Sequence, residues 1–404
     1  LTSTQVGGFT STQLGGLTTT QLGALATGDV DEFTSTQLRG LTSTQLGALG
    51  ETNFSEFSAT QLAQLTGAQL TGLSTTQLTA LTTTDAGEFS ATQLGGLTTT
   101  QLNALTTDAL GTFSATQARG LTTTQVAGLT STSLNALSTT ALGGLTTTQA
   151  KALTTTQVGA INETAAVGFT STQLGALFNT QIAAFTTASL NALNSTQIGG
   201  LTATQLGGLT TTQLGALTAG DVDEFTSTQL RGLSSTQLAA LTETNFSEFS
   251  STQVAGFAST QLAGLTTTQI NALTTTDIDE FTSTQLRGLA VTQIAAITST
   301  DAGELSSTQL SGLAATQLNA FTTDALGVLI AGQAVGLTPK IRAPAQRAAA
   351  IIHSNSIHRL GQSDRPNQTT RAIAAPIRVD PTSSRPAERV SVEHDTVAAE
   401  TERF

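Results

Sequence analysis

The stretch LTTTQLNAL at residues 97–105 holds one eight-residue unit and the first residue of the next. Set out in rows of eight from Leu1, the chain gives 42 such octads, ending at Gly336, with no insertion or deletion. Position 1 is Leu, Phe or Ile in all 42 rows. Position 6 is Leu, Val, Ile or Phe in 36 rows and Ala in six, among them Ala86, Ala118 and Ala302. Position 2 is mostly Thr or Ser, position 5 is Gln in 29 rows, and position 8 is usually Gly or Ala. One extra residue would push both apolar columns off a shared core, so an unbroken phase implies a regular stack of equivalent units. The segment GDVDEFTSTQLRGL at residues 28–41 recurs at residues 220–233, which marks growth of the array by duplication of whole octads.

An octad buries two apolar side chains, too few to offset the conformational entropy of ordering eight residues. Stacking is therefore obligatory. A continuous helix is excluded, because eight residues advance about 800° and the apolar stripe would wind round the rod. Thr or Ser at position 2 and Gln three residues later form instead the spacing of a capping box, in which side chain and backbone at the two ends satisfy each other. Each octad then reads as a cap at position 2, a short helix over positions 3–8 and a break near the next position 1. Positions 6 and 1 both point inward, and small residues at position 8 allow close approach. The competing reading is a β-solenoid, favoured by Thr, Val, Ile and Phe, but apolar spacings of five and three alternate faces and demand a bend inside every octad. The fold expected is an all-α superhelical solenoid.

Position 8 also predicts the pitch. Its larger residues are Glu32, Glu56, Glu88 and Thr112, then Glu224, Glu248, Glu280, Glu304 and Val328, with Gln64 the one other exception. Within each series they recur after three or four octads, which implies three to four octads per turn.

Composition removes several function classes. The chain has no Cys, Met, Trp or Tyr and only 10% charged residues, a repeat-driven bias. Residues 1–336 carry 20 acidic and five basic side chains, so a phosphate backbone would be repelled and nucleic acid is not an expected partner. All five basic residues, Arg39, Arg119, Lys151, Arg231 and Arg287, fall at position 7. Three of them follow an Asp one octad earlier: Asp31 before Arg39, Asp223 before Arg231, and Asp279 before Arg287. This suggests neighbouring rows of an exposed column, or copies of one ancestral segment. The triplets Asp29, Asp31 and Glu32, Asp221, Asp223 and Glu224, and Asp277, Asp279 and Glu280 offer oxygen ligands for calcium. They lack the glycine and distant bidentate Glu of an EF-hand, and a solvated acidic corner is the preferred reading. No metal, cofactor or catalytic residue is assigned.

The three histidines, His353, His358 and His394, lie beyond the array, as do all six prolines. Without a histidine in the array, its many hydroxyls have no base to activate them, and no enzyme is expected. Residues 337–360 read as an irregular segment with a weak helix, and residues 361–404 as a disordered tail. Neither a signal peptide nor an apolar stretch long enough to span a membrane is visible.

The tandem motif L-T-x-x-Q-[LV]-x-[AG], as in residues 97–104, resembles the low-complexity octad arrays of large bacterial surface and adhesin-like proteins. The resemblance covers residues 1–336. It implies a non-catalytic structural or adhesive element, secreted or at the cell surface, acting as rod, spacer or repetitive display face. Its contacts would be with itself, the cell surface or the extracellular matrix. The same motif is locally similar to the opening of transcription-activator-like effector repeats, but for barely one octad and without their base-reading pair. A second functional expectation is a ladder of Thr hydroxyls and methyls at positions 2–4 that binds ice, glycan or mineral.

Overall fold

The computed structural model describes residues 3–329, apart from residue 274, together with Gln333. The segments expected to be irregular (337–360) and disordered (361–404) lie outside the described residues, as do the histidines. Within the described residues the chain forms 41 helices of four to six residues, one per octad from Ser3–Gly7 to Thr323–Gly327, and no strand. The β-solenoid alternative is thereby set aside.

Octad 13 shows how the sequence builds the unit. Thr98 has extended backbone (φ −72°, ψ 158°) and caps the helix Thr99–Ala104. The Thr98 Oγ1 accepts from the Gln101 amide at 3.2 Å, and the Gln101 Oε1 accepts from the Thr98 amide at 2.8 Å. Two of the amides that a helix N-terminus leaves unpaired are thus satisfied. The Leu102 amide donates to the Thr98 carbonyl, the Leu105 amide donates to the Leu102 carbonyl, and Leu105 then turns extended (φ −63°, ψ 143°). The helix therefore stops at position 8 and the next cap begins one residue later. So short a helix has no stability of its own in water.

Stability comes from the stack. Away from the ends of the array position 6 is fully buried and position 1 nearly so: Leu102 is 0% and Leu105 4% exposed. The two columns form one continuous apolar core running from Val6 to Ala325. Each helix packs chiefly on the helix three octads away, as Ala115–Gly120 does on Ala91–Gly96 and on Thr139–Gly144.

Position 5 holds successive turns together. The Gln101 Nε2 donates to the Leu70 carbonyl at 2.8 Å and to the Leu73 carbonyl at 2.9 Å, 31 and 28 residues earlier. Gln77, Gln125, Gln157, Gln205, Gln261 and Gln293 repeat the same pair of bonds. These carbonyls belong to the C-terminal end of the helix below. One carboxamide therefore closes the N-terminus of its own helix and the C-terminus of another, and both ends are buried. Helices pack on partners three octads away, and the Gln side chains reach back slightly further, to carbonyls almost four octads earlier. One superhelical turn thus holds between three and four octads.

Close approach at positions 7 and 8 is the second requirement. A methyl group on Gly120 would stand 2.5 Å from the Ala91 carbonyl oxygen and 2.7 Å from the Ala91 Cα, and one on Gly95 would stand 2.7 Å from the Gly120 carbonyl oxygen. Overfilling such a contact costs about 1–3 kcal/mol. Gly120→Val is expected to destabilise the array by that amount while leaving its helices in place elsewhere. Hydrogen exchange should show faster exchange confined to the octads within one turn of residue 120, and unchanged exchange there would contradict the packing described.

Candidate functional surface

With positions 1, 5 and 6 turned inward in all but the first octads, the outer surface is left to positions 2, 3, 4 and 7 and to the larger residues of position 8. They differ in how far the fold has already used them. Position 2 hydroxyls are taken by the cap, as in Thr98, Thr122 and Thr266. Position 3 lies beneath position 8 of the octad three further on, as Ala91 lies beneath Gly120. Position 4 is Thr in 35 of the 42 octads and Ser in none, although Ser is frequent at positions 2 and 3. Its side chain is exposed wherever it is described, and no hydrogen bond within the chain claims its hydroxyl. The position 4 column is thus the most regular rank of Thr outside the caps, and exposed Thr at position 3, such as Thr123 and Thr147, stand beside it. Because the octads wind at three to four per turn, that rank runs round the whole circumference and makes no single flat face.

Position 7 is never buried where it is described, in line with the sequence reading. Its neighbour is another matter. The Arg39 Nη2 donates to the Gln64 Oε1 at 2.7 Å, and the Arg231 Nε donates to the Gly256 carbonyl at 2.8 Å, each 25 residues on. Asn103 uses both ends of its amide, donating to the Gly128 carbonyl and accepting from the Thr130 amide, each at 2.9 Å. Position 7 therefore faces the octad one turn later. The pairs Asp31 and Arg39, Asp223 and Arg231, and Asp279 and Arg287 are one octad apart along the chain, and their spacing reflects copied segments more simply than spatial rows.

The acidic triplets divide between inside and outside. Asp29 and Asp221 occupy position 5 and are buried. The Asp29 Oδ2 accepts from the Ala26 amide at 2.9 Å, and the Asp221 Oδ2 accepts from the Thr218 amide at 2.9 Å and its hydroxyl at 2.7 Å. Asp277 is buried in the same place. Asp31, Glu32, Asp223, Glu224, Asp279 and Glu280 are exposed. The first carboxylate of each triplet is thus turned inward at the position of the capping Gln, away from the other two. Among the described residues no three His, Asp or Glu side chains are grouped to hold a metal ion.

Two local departures stand out on the surface. Phe178 replaces the capping hydroxyl at position 2, is 56% exposed, and carries the Lys151 ammonium 5.4 Å from its ring centre. An open depression of about 600 Å³ lies between residues 167–171 and 194–197. Its lining is apolar groups, hydroxyls and amides, and Gln197 there is committed to the Val167 and Phe169 carbonyls. The lining offers neither a charged group nor a nucleophile beside a base. No helix among the described residues is long and apolar enough to cross a membrane.

No curated protein and no solved structure matches the chain. Residues 182–219 match the family model described as the ALTTAQ repeat, a segment spanning parts of octads 23 to 28. That match and the one-helix-per-octad array make this chain a helical repeat protein.

Proposed function

We propose that the array is a non-catalytic structural element: a rod or spacer, or a repetitive display face, of a bacterial surface or secreted protein. The observation that carries this reading is the closed interior. The core positions are filled by the same two columns throughout, successive turns are bonded to one another, and the outer surface repeats one set of side chains along its length. Such an architecture gains length by adding units and needs no unique site to do so. The match to a repeat family and the uniform one-helix-per-octad array support the non-enzymatic part of the reading.

Length proportional to octad number is the direct test. Deleting residues 113–216 removes 13 of the 42 octads and joins Thr112 to Leu217 in phase. The shortened chain should keep its helical circular dichroism per array residue. Its length in electron micrographs should fall by about a third, as additive repeat units require. Loss of helical signal, or an unchanged length, would count against a rod of equivalent units.

A second reading is supported by position 4, where Thr is kept and Ser is never used. An exposed hydroxyl beside a methyl suits a ligand that offers both polar and apolar contacts, such as a glycan, an ice surface or a mineral. Replacing Thr100, Thr124, Thr148 and Thr172 by Ser retains the hydroxyls and removes only the methyls. If this face binds, retention on a polysaccharide or ice matrix should weaken measurably with helicity unchanged. Equal retention would leave the structural reading alone.

A further inference from the structure

The large residues at position 8 are not scattered independently of position 5. All seven Glu at position 8 share their octad with a residue shorter than Gln at position 5: Glu32 with Asp29, Glu56 with Asn53, Glu88 with Asp85, Glu224 with Asp221, Glu248 with Asn245, Glu280 with Asp277, and Glu304 with Asp301. Thr112 and Val328 share theirs with Ala109 and Ala325, and Gln64 with Gln61 is the one exception. The two positions act on the same gap, because both reach the turn before.

Position 5 sets the number of bonds across that gap. Gln donates twice, as Gln101 does. Asn donates once: Asn53 to the Leu25 carbonyl at 2.9 Å and Asn245 to the Leu217 carbonyl at 2.7 Å. An Asp carboxylate has no proton to donate, and Asp85, Asp221 and Asp301 bond within their own octads.

Position 8 sets the width of the gap, which can be read from glycines at position 7 one turn earlier. A Cβ on Gly15, Gly47, Gly95, Gly175 or Gly207 would lie 2.2–2.8 Å from the carbonyl oxygen of Gly40, Gly72, Gly120, Gly200 or Gly232, and one on Gly143 would lie 3.1 Å from that of Gly168. Where Ala faces the glycine, at Ala48, Ala136, Ala184 and Ala240, the distance is 3.0–3.4 Å. Opposite Glu224 it is 3.6 Å. Opposite Glu32 and Val328 only a side-chain atom comes within 4 Å, at 3.8 Å, and opposite Thr112 nothing does. The gap thus widens from Gly through Ala to the larger residues.

The core answers the widening. Phe occupies position 1 directly after six of the seven Glu and after Thr112. Its rings fill the wider turns, with Phe33 and Phe57 at 6.2 Å and Phe54 and Phe57 edge to face at 5.7 Å. In the second series the Glu and Val positions from 224 to 328 cover 13 octads in four steps, a mean of just over three. That recurrence brings the widened contacts back to nearly the same side on each turn.

We propose that positions 5 and 8 together form a mechanical code of stapled and wedged octads. The wedged segments, residues 32–112 and 224–328, are the compliant stretches of the array, and the segment between them, residues 120–216, is the stiff one. In the stiff segment position 8 is Gly or Ala throughout. The four octads there that lack Gln, at Ser133, Ala141, Ala165 and Ser189, therefore keep the close approach. The wedged segments yield first under load or denaturant, because a wedged octad gives up cross-turn bonds and also holds the backbones further apart.

Hydrogen exchange on the full chain, read by mass spectrometry, tests this in two ways. Amides of residues 120–216 should exchange about tenfold more slowly than those of the wedged segments, as expected where local opening is costlier. Restapling two wedged octads with Asp85→Gln, Glu88→Ala, Asp301→Gln and Glu304→Ala should slow exchange about tenfold within one turn of each site. The reverse pair, Gln157→Asp with Ala160→Glu, should speed exchange to a similar degree around residue 157, with helicity retained. Equal protection across the three segments would overturn the proposal, as would insensitivity of local exchange to both sets of substitutions.

Discussion

The structure depends on the two ends of one side-chain amide. At position 5 the Gln carbonyl oxygen accepts from the cap amide of its own helix, and the Gln NH₂ donates to helix-end carbonyls one superhelical turn earlier. A buried amide of this kind is valuable because every group it meets is already out of water. Leaving one buried partner unsatisfied costs about 1–3 kcal/mol. No intrinsically stable unit exists beneath this interaction. Each helix is barely a turn and a half long, and each octad adds only two apolar side chains to the core. Local structure and stacking are therefore one event, carried by the same residue.

That coupling explains the rigidity of the repeat length. A slip in phase would remove the apolar columns from the interior and also carry each amide away from the carbonyls it meets one turn earlier. It explains the small residues as well. The Gln side chain has a fixed reach, so the backbones it joins must come close, and Gly or Ala at position 8 allows this. Where a large residue stands at position 8, the amide is usually replaced by a shorter side chain. The sequence thereby avoids setting a staple and a wedge against each other in one octad.

Much of this is legible in the residues themselves. The capping box follows from the Thr-x-x-Gln spacing, the core from positions 1 and 6, and the pitch from the recurrence of large residues at position 8. The second bond of Gln is hidden because the capping box already accounts for it. A signal is nonetheless present: Glu serves a capping box as well as Gln does, yet position 5 is never Glu in 42 octads. A carboxylate supplies the acceptor that the cap needs and lacks the donor that the turn below needs. Position 7 reads correctly as exposed, but the residue pattern points to a neighbour one octad away. Which rows touch is set by the winding of the stack, and sequence adjacency says nothing of it. The burial of Asp29 and Asp221 is hidden for the same reason, since in their octads they stand in for Gln. The free Thr column at position 4 becomes distinguishable only once the hydroxyls at position 2 are seen to be engaged by the caps.

The most direct test of the account is Gln101→Glu compared with Gln101→Ala in the full chain. The Glu variant keeps the capping acceptor of Gln101 and is close to it in size, but turns an acceptor toward the Leu70 and Leu73 carbonyls. Hydrogen exchange of the octads within one turn of residue 101 should be accelerated by Glu at least as much as by Ala. If Glu instead preserved the exchange rates of the unsubstituted chain while Ala did not, the local cap alone would hold the array, and the cross-turn amide would not be the interaction on which it depends.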